Sequence, residues 1–518
     1  MWVCQRWRQI LIASPLALNI RLYCTHRTPV LKCIDCWPPL PIIVKYGGFP
    51  NLDLPALGDD DNIIAALKHS GRVRSISLTV TSSLLEKLST ISEPLSELEE
   101  LVLLSQYDVQ RTLPSTFLWG PRLRTLHSTR IAFPSLPPLL LPCQDLVDLQ
   151  LHEIPGSGYF SPEAFANALS GTPQLRSLTL HILSFPRRRS YLGFPPPPGE
   201  RIVLAALAHL KYRGTSKYLD VFVARIEAPL LGDIEITLFS QPTMDASQLS
   251  RFIQRTEIHT SFSHAKVETS AHAISISFTN SDVSAPLRLQ ISCNQLDWQL
   301  SCMAQICDQI SPFLFHVGDL RINTAQLPDE QVDVDREQWV DLLRSFKFIA
   351  CKSFEFPLNG KLTADILYAL GPANEGNTAM LPSLRQVRVQ NPIAMGGPLW
   401  NSVQSFITSR SISGRPVQVD GLFYRCHICR HLLAEQHALK HHLRDKHRYQ
   451  ILCSYCGEFE CTPGQSDLFQ EHLKSEHYQI VHNDALISKP DLTLFQSDRH
   501  VDRHSSLCAP DVVPHSPS

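Results

Sequence analysis

The chain has no excess of charge of either sign. Its 518 residues carry 47 Lys and Arg against 49 Asp and Glu, a formal net charge of −2, which argues against a chain built to coat nucleic acid or an anionic membrane by bulk attraction. It lacks any apolar run near the ~18 residues that a membrane span needs. It also lacks a Gly-x-Ser-x-Gly elbow, a phosphate-binding loop, a dinucleotide fingerprint and a His-Glu-x-x-His pair, so no motif points to an enzyme. Nor do the 15 cysteines make a disulfide framework, because the number is odd, the spacing is irregular and five fall between Cys426 and Cys461. That usage fits an intracellular protein with a local metal site. The opening MWVCQRWRQILIASPLALNI places two arginines ahead of an apolar stretch, as a signal peptide does. However, Arg6 and Arg8 sit inside a helical pattern and no small-x-small cleavage site follows cleanly. The expectation is an intracellular protein with no membrane segment, and at 43% hydrophobic and 19% charged it should be mostly folded.

What is present in the long middle is a recurring short segment. PRLRTLHS from Pro121, PQLRSLTL from Pro173, PLLGDIEI from Pro229 and PSLRQVRV from Pro382 share one apolar pattern, and LSELEELVL, LVDLQL and VRSISL repeat it without the proline. Proline ends whatever helix precedes it, and the alternation after it points every second residue of a strand into a core. The first apolar residues of these units are Val73, Leu98, Leu123, Leu146, Leu175, Leu207 and Leu231, at intervals of 25, 25, 23, 29, 32 and 24. Those intervals are close to the period of leucine-rich repeats. Abundant leucine can produce the motif by chance, so the regular recurrence carries the reading. After Leu231 the units blur, with candidates near Ile274, Leu320, Phe354 and Val387. SPEAFANALSG (161–171) reads as an intervening helix, with Ser161 as N-cap, Pro162 in the first turn and Gly171 as stop. FPSLPPLLLP (133–142) and FPPPPGE (194–200) read as loops, and PRRRS (186–190) as a solvated basic run. The expected fold is α/β, a leucine-rich-repeat-like solenoid over 51–415, with a less regular α/β domain as the alternative. A solenoid presents one long surface suited to protein partners.

At the start, Val3, Cys4, Trp7, Ile10 and Leu11 recur on one helical face closed by Ser14-Pro15. The run Val3-Cys4-Gln5-Arg6-Trp7-Arg8-Gln9-Ile10 with Ser14-Pro15 resembles the closing helix of an F-box. RLYCTHRTPV and WPPLPIIV resemble the segment after it in a large group of fungal F-box proteins with irregular leucine-rich repeats. Residues 1–50 are therefore assigned to a partial F-box and its following segment. The family's first helices, which make much of the contact with the Skp adaptor, would fall before Met1. The resemblance implies ubiquitin-ligase substrate-adaptor ancestry, with a Skp-type adaptor as a candidate partner. Cys33-x2-Cys36 has no second pair at ligand spacing and is read as neither metal nor redox site.

Near the other end, Cys426-x2-Cys429-x12-His442-x4-His447 has the spacing of a two-Cys, two-His zinc finger. A knuckle presents two thiolates, and a helix presents two imidazoles about a turn apart, closing a tetrahedron on Zn²⁺. Tyr424, Leu433 and Leu439 occupy the small core, and Leu439 fixes the register on His442 over His441 or His437. A second copy follows with Cys453, Cys456, His472 and His477, Phe469 matching Leu439 and Phe459 as the other core residue; Cys461 and His482 are alternative donors there. With all four ligands of each site supplied by the protein, both Zn²⁺ ions are expected to be structural. The fingers are placed at 421–480 and a disordered tail at 488–518.

Nucleic-acid binding through these fingers is the rival reading. Base readout uses helix positions −1, 3 and 6, here Glu435, Ala438 and His441, then Gln465, Leu468 and Glu471, with no arginine for guanine or asparagine for adenine. Residues 424–447 carry a net +3, but residues 451–477 carry −4, and a phosphate path needs cations throughout. DNA is disfavoured.

Overall fold

The computed structural model describes residues 21–25, 28–34, 40–46, 60–105 except 89 and 92, 112–113, 120–182 except 134–135, 200–256 except 240 and 242–243, 258, 262–280, 287–311, 317–326, 336–346, 351, 353–356, 360–370, 381–394 and 400–425, with residues 6, 9, 432–433, 451–452 and 460–461. By its contacts the chain divides into two units, Met1–Phe354 with Ala373–Leu384, and Glu355–Pro372 with Arg385–Ser518. The first is a mixed α/β unit with a large, mostly parallel sheet.

Its strands are β1 (Leu22–Cys24), β2 (Ile42–Tyr46), β3 (Val73–Thr79), β4 (Glu100–Leu104), β5 (Thr125–Thr129), β6 (Asp148–Ile154), β7 (Ser177–Ile182), β8 (Ile202–Val203), β9 (His209–Gly214), β10 (Ile226–Glu227), β11 (Asp233–Phe239), β12 (His264–Ser270), β13 (Ala273–Thr279), β14 (Leu287–Ser292) and β15 (Asp319–Gln326). From β1 to β7, then β9 and β11, each strand pairs in parallel with the next, while β8 and β10 form a separate two-stranded pair. The successive registers are Ser75↔Glu100, Glu100↔Thr125, Thr125↔Asp148, Asp148↔Ser177, Ser177↔His209 and His209↔Asp233. Step for step, they repeat the intervals read between the first apolar residues of the segments.

From Leu98 to Leu231, each of those first apolar residues does the same job. The amides of Leu98, Leu123, Leu146, Leu175, Leu207 and Leu231 donate to the carbonyl three residues earlier, closing a turn, and all six side chains are buried. The next residue passes its amide hydrogen to the preceding unit, as in Glu99 to Arg74 O, Arg124 to Glu99 O and Gly232 to Ala208 O. Pro121, Pro173, Pro229 and Pro382 all stand second in such a turn, where the ring-fixed φ of proline is favoured and no amide hydrogen is required. The prolines therefore shape the turn into the strand, a role more specific than stopping a helix.

Alternation then builds the core. Ile76, Leu101, Leu126, Leu149, Leu178, Leu210, Ile234 and Leu287 lie side by side in register and are all buried. A fully buried aliphatic side chain of this size contributes about 1.5–3 kcal/mol, so the row is a major stabilising feature. Helices in the crossovers, among them Ser82–Leu88, Pro162–Leu169, Ser216–Val223 and Ser247–Gln254, cover the buried side. The intervening strand residues form an open, polar face.

The regular progression changes after β11. The strand paired with it in parallel is β14, in the register Ile234↔Leu287, a longer step along the chain than any before it. β12 and β13 form an antiparallel hairpin, β13 pairs antiparallel with β14, and β12 pairs in parallel with β15. Here a hairpin is inserted into the crossover, which is why the period is lost beyond Leu231. Ile274 and Leu320 lie in β13 and β15, and Phe354 in a strand Ser353–Phe356.

The helix Pro162–Leu169 forms as read: the Ser161 side chain accepts from the Ala164 amide and Pro162 opens the helix. One expectation needs correction. Within FPSLPPLLLP, read as a loop, Leu136–Leu140 is a short helix burying Leu136, Pro137, Leu139 and Leu140. Prolines in a first turn sacrifice no helical hydrogen bond, and the leucines supply the buried face. Residues 186–199, the tail and most of the first 20 residues lie outside the described set; Arg6 and Gln9 are helical and exposed.

In the second unit, the strands Gln386–Ala394, which contains Val387, and Gln418–Arg425 pair in parallel, joined through the helix Trp400–Ile412. No described helix is long and apolar enough to cross a membrane.

Candidate functional site

The eight expected zinc ligands, Cys426, Cys429, His442, His447, Cys453, Cys456, His472 and His477, all lie outside the described residues, as do Cys36 and His482. What is described is the backbone on either side of each cysteine pair. Arg425 ends a strand that pairs antiparallel with Leu432–Leu433, in the register Tyr424↔Leu433 and Arg425↔Leu432. Cys426 and Cys429 therefore fall within the connection of a β-hairpin, and two of the three expected core positions are direct partners. The second pair has the same placement. Ile451–Leu452 pairs antiparallel with Glu460–Cys461, so Cys453 and Cys456 fall in the connection between these short strands. A hairpin that brings its ends together over a Cys-x2-Cys connection is the first half of the arrangement a two-Cys, two-His site needs. Among the described residues, no group of three or more His, Cys, Asp or Glu side chains is placed to hold a metal ion.

Three of the described cysteines are held away from thiolate chemistry. Burial pushes the Cys143 thiol up to about 11 and the Cys351 thiol up to about 12, and raises that of buried Cys307 as well. Thiols held this far from ionisation are poor nucleophiles.

The open face of the sheet is the other candidate site, and its side chains come in rows set by the register. One row runs Glu100, Thr125, Asp148, Ser177, His209 and Asp233. The next runs His127, Gln150, Thr179, Lys211, Glu235 and Arg288. Side-chain contacts tie them together: across strands, His127 Nε2 lies 2.7 Å from Asp148 Oδ2 and Lys211 Nζ meets Glu235 Oε2 at 2.8 Å, and within β6 Gln150 Nε2 donates to the same Asp148 oxygen at 3.0 Å. Solvent-accessible pairs such as these contribute little stability but hold side chains in place on the face. The strand alternation expected from the sequence accounts for which residues face outward; the lateral neighbours come only from the register.

At the C-terminal end of this face, Arg130 and Glu153 form an ion pair, and both have left-handed backbone, φ 59° and 52°. The β6–β7 register shifts between Leu151 and Ile154 around Glu153, as a bulge does. Sequence reading passes over these residues, because neither is glycine or asparagine and nothing local marks a positive φ.

No protein-family model matches this chain, and comparison with curated proteins gives no match.

Proposed function

We propose that this chain is a non-enzymatic protein-interaction protein: a solenoid of leucine-rich-repeat-like units whose open sheet face binds other proteins, followed by two zinc fingers in which Cys426, Cys429, His442 and His447, and Cys453, Cys456, His472 and His477, hold structural Zn²⁺. One observation supports the solenoid above others. Successive parallel strands are offset by the sequence period itself, each is entered through the same hydrogen-bonded turn, and one face carries rows of polar side chains in register. Repeats of this kind stack only on their neighbours and together make an extended binding surface. The hairpins bracketing both cysteine pairs support the fingers. The F-box resemblance adds a Skp-type adaptor as candidate partner and a ubiquitin-ligase substrate adaptor as the biological role.

Co-purification of tagged full-length chain, with bound zinc quantified and the Skp adaptor and cullin probed in the same sample, tests this reading. Two zinc ions per chain with reproducible protein partners are expected, and Cys426→Ser should lower the count to one. The adaptor among those partners would support the ligase role. Absence of any reproducible partner would overturn the interaction reading, and a zinc-dependent, salt-sensitive shift of labelled DNA duplex would put nucleic acid in its place.

A further inference from the structure

The open face contains a hollow of about 400 Å³ across β6, β7, β9, β11 and β14, lined by His152, Glu153, His181, Lys211, Arg213 and Glu235 among others. Its charges are unequally satisfied. Glu153 is paired with Arg130, and Lys211 with Glu235. Among the described residues Arg213 has no carboxylate partner; its guanidinium carbon stands 5.9 Å from the Phe239 ring centroid, and the side chain is exposed. Beside it on β7, His181 is only 8% exposed, and its Nε2 atom has no hydrogen-bond partner. A buried, unsatisfied imidazole nitrogen is uncommon and asks for an explanation. Here it borders an exposed cation with no carboxylate in ion-pair contact.

We propose that this hollow is a carboxylate-binding subsite for an acidic peptide, in which Arg213 grips the carboxylate and His181 Nε2 supplies a second hydrogen bond. Arginine's planar fork matches a carboxylate in bidentate fashion, and a ligand that draws Arg213 aside gives access to the Nε2 next to it. The one lining cation without an ion-pair contact matches a monoanion better than a doubly charged phosphate. The Phe239 ring supports the guanidinium without competing for its donors. This subsite rests on the reading of the open face as a protein-binding surface and names the chemistry of one contact on it.

The groups facing His181 are Arg213 and Lys211 from β9 and His152 and Glu153 from β6. Burial first, and Arg213 next, push His181 down to about 4, and burial, His127 and Lys211 lower His152. Both rings are therefore neutral at pH 7 in the free protein. A bound carboxylate offsets Arg213 and favours the imidazolium, so binding takes up a proton and strengthens as pH falls.

The test uses full-length chain and a fluorescein-labelled octaglutamate peptide, read by fluorescence anisotropy at low salt, with octaglutamine and phosphoserine peptides alongside. Octaglutamate should bind and octaglutamine should not. Arg213→Met should weaken binding about tenfold or more, Arg321→Met on the same face less than about twofold, and wild-type affinity should rise as pH falls from 6.5 towards 5. His181→Asn should remove most of that pH dependence. Equal affinity of Arg213→Met and wild type, or a phosphoserine peptide binding more than about tenfold tighter, overturns the assignment. A chain that ignores octaglutamate but still co-purifies with proteins overturns this subsite and leaves the interaction reading standing. Arg213-dependent octaglutamate binding without any co-purifying protein supports the subsite and removes that broader reading.

Discussion

At the scale of single residues, the structure assigns roles that the chain's chemistry permits but does not announce. Gly171 is legible as a helix stop; its tertiary role is close approach. A β-carbon there would stand 2.3 Å from the Leu141 carbonyl oxygen and 2.6 Å from its Cα, backbone atoms that cannot swing aside. Gly171→Ala should cost about 1–3 kcal/mol as an overpacking change, measured as a lower urea midpoint with unchanged slope. Asp220 is a second case. Its Oδ1 accepts from the amides of Gln248 and Leu249 at the start of the helix Ser247–Gln254, at 2.9 and 3.2 Å. Burial, with Asp245 adding to it, nevertheless pushes its carboxyl from 3.8 up to about 6. The folded state thus binds this proton more tightly than the unfolded one, so the contribution is fully present below about pH 4 and is lost as pH rises through about 6. Asp220→Asn keeps an oxygen acceptor and removes the charge. It should be more stable than wild type at pH 7 by up to about 3 kcal/mol, with the advantage vanishing near pH 4. A pH-independent difference in chemical denaturation would contradict this account.

At the scale of elements, local signals and structure agree where a short stretch carries its own hydrogen-bond solution. The helix Pro162–Leu169 is such a stretch, because Ser161 satisfies the Ala164 amide at 3.1 Å. Ser161→Ala should lower stability by about 1 kcal/mol, and Ser161→Asp should restore most of it; equal urea midpoints for all three would show that the cap is dispensable. The helix Leu136–Leu140 marks the opposite case. Two adjacent prolines in FPSLPPLLLP argue for a loop on local grounds. Burial of Leu136, Leu139 and Leu140 against the neighbouring helix layer outweighs them, an instance of tertiary packing overriding propensity. The inserted hairpin of β12 and β13 shows another limit. Each strand alternates, HAKVETS and AISISFT, but alternation is the same whether a strand pairs in parallel or antiparallel.

At the scale of the whole molecule, the expected metal ligands come after the strands β1–β15 of the first unit, and the strand Gln418–Arg425 leads directly into Cys426. The strands β1–β15 end at Gln326, and the eight expected ligands begin at Cys426. Removing zinc should therefore leave the strands β1–β15 standing. Treatment with a high-affinity chelator is expected to release about two zinc ions, abolish the ordered contribution of 421–480 and leave the main urea transition within about 0.5 kcal/mol, since binding energy at a structural zinc site is folding energy of its own small domain. Loss of the main transition together with the zinc would show that the proposed fingers hold up the strands β1–β15.

The amino-acid sequence by itself determined the period. Turn, proline and the first buried leucine are fixed within one short segment by hydrogen bonding and by burial on alternate sides, so the steps from Ser75 to Asp233 can be read without knowing any pairing. It also carried the spacing of the cysteine and histidine clusters, whose expected ligands sit close together along the chain. What only the tertiary structure decided is lateral. Which polar side chains become neighbours, such as Arg213 beside His181 or His127 beside Asp148, depends on register between strands a whole repeat apart along the chain. So does the place of the β12–β13 hairpin in the sheet. A local pattern says which face a residue takes, because side-chain direction alternates within one strand. It cannot say what stands next to that residue on the following strand, because that is settled by how the intervening helix packs.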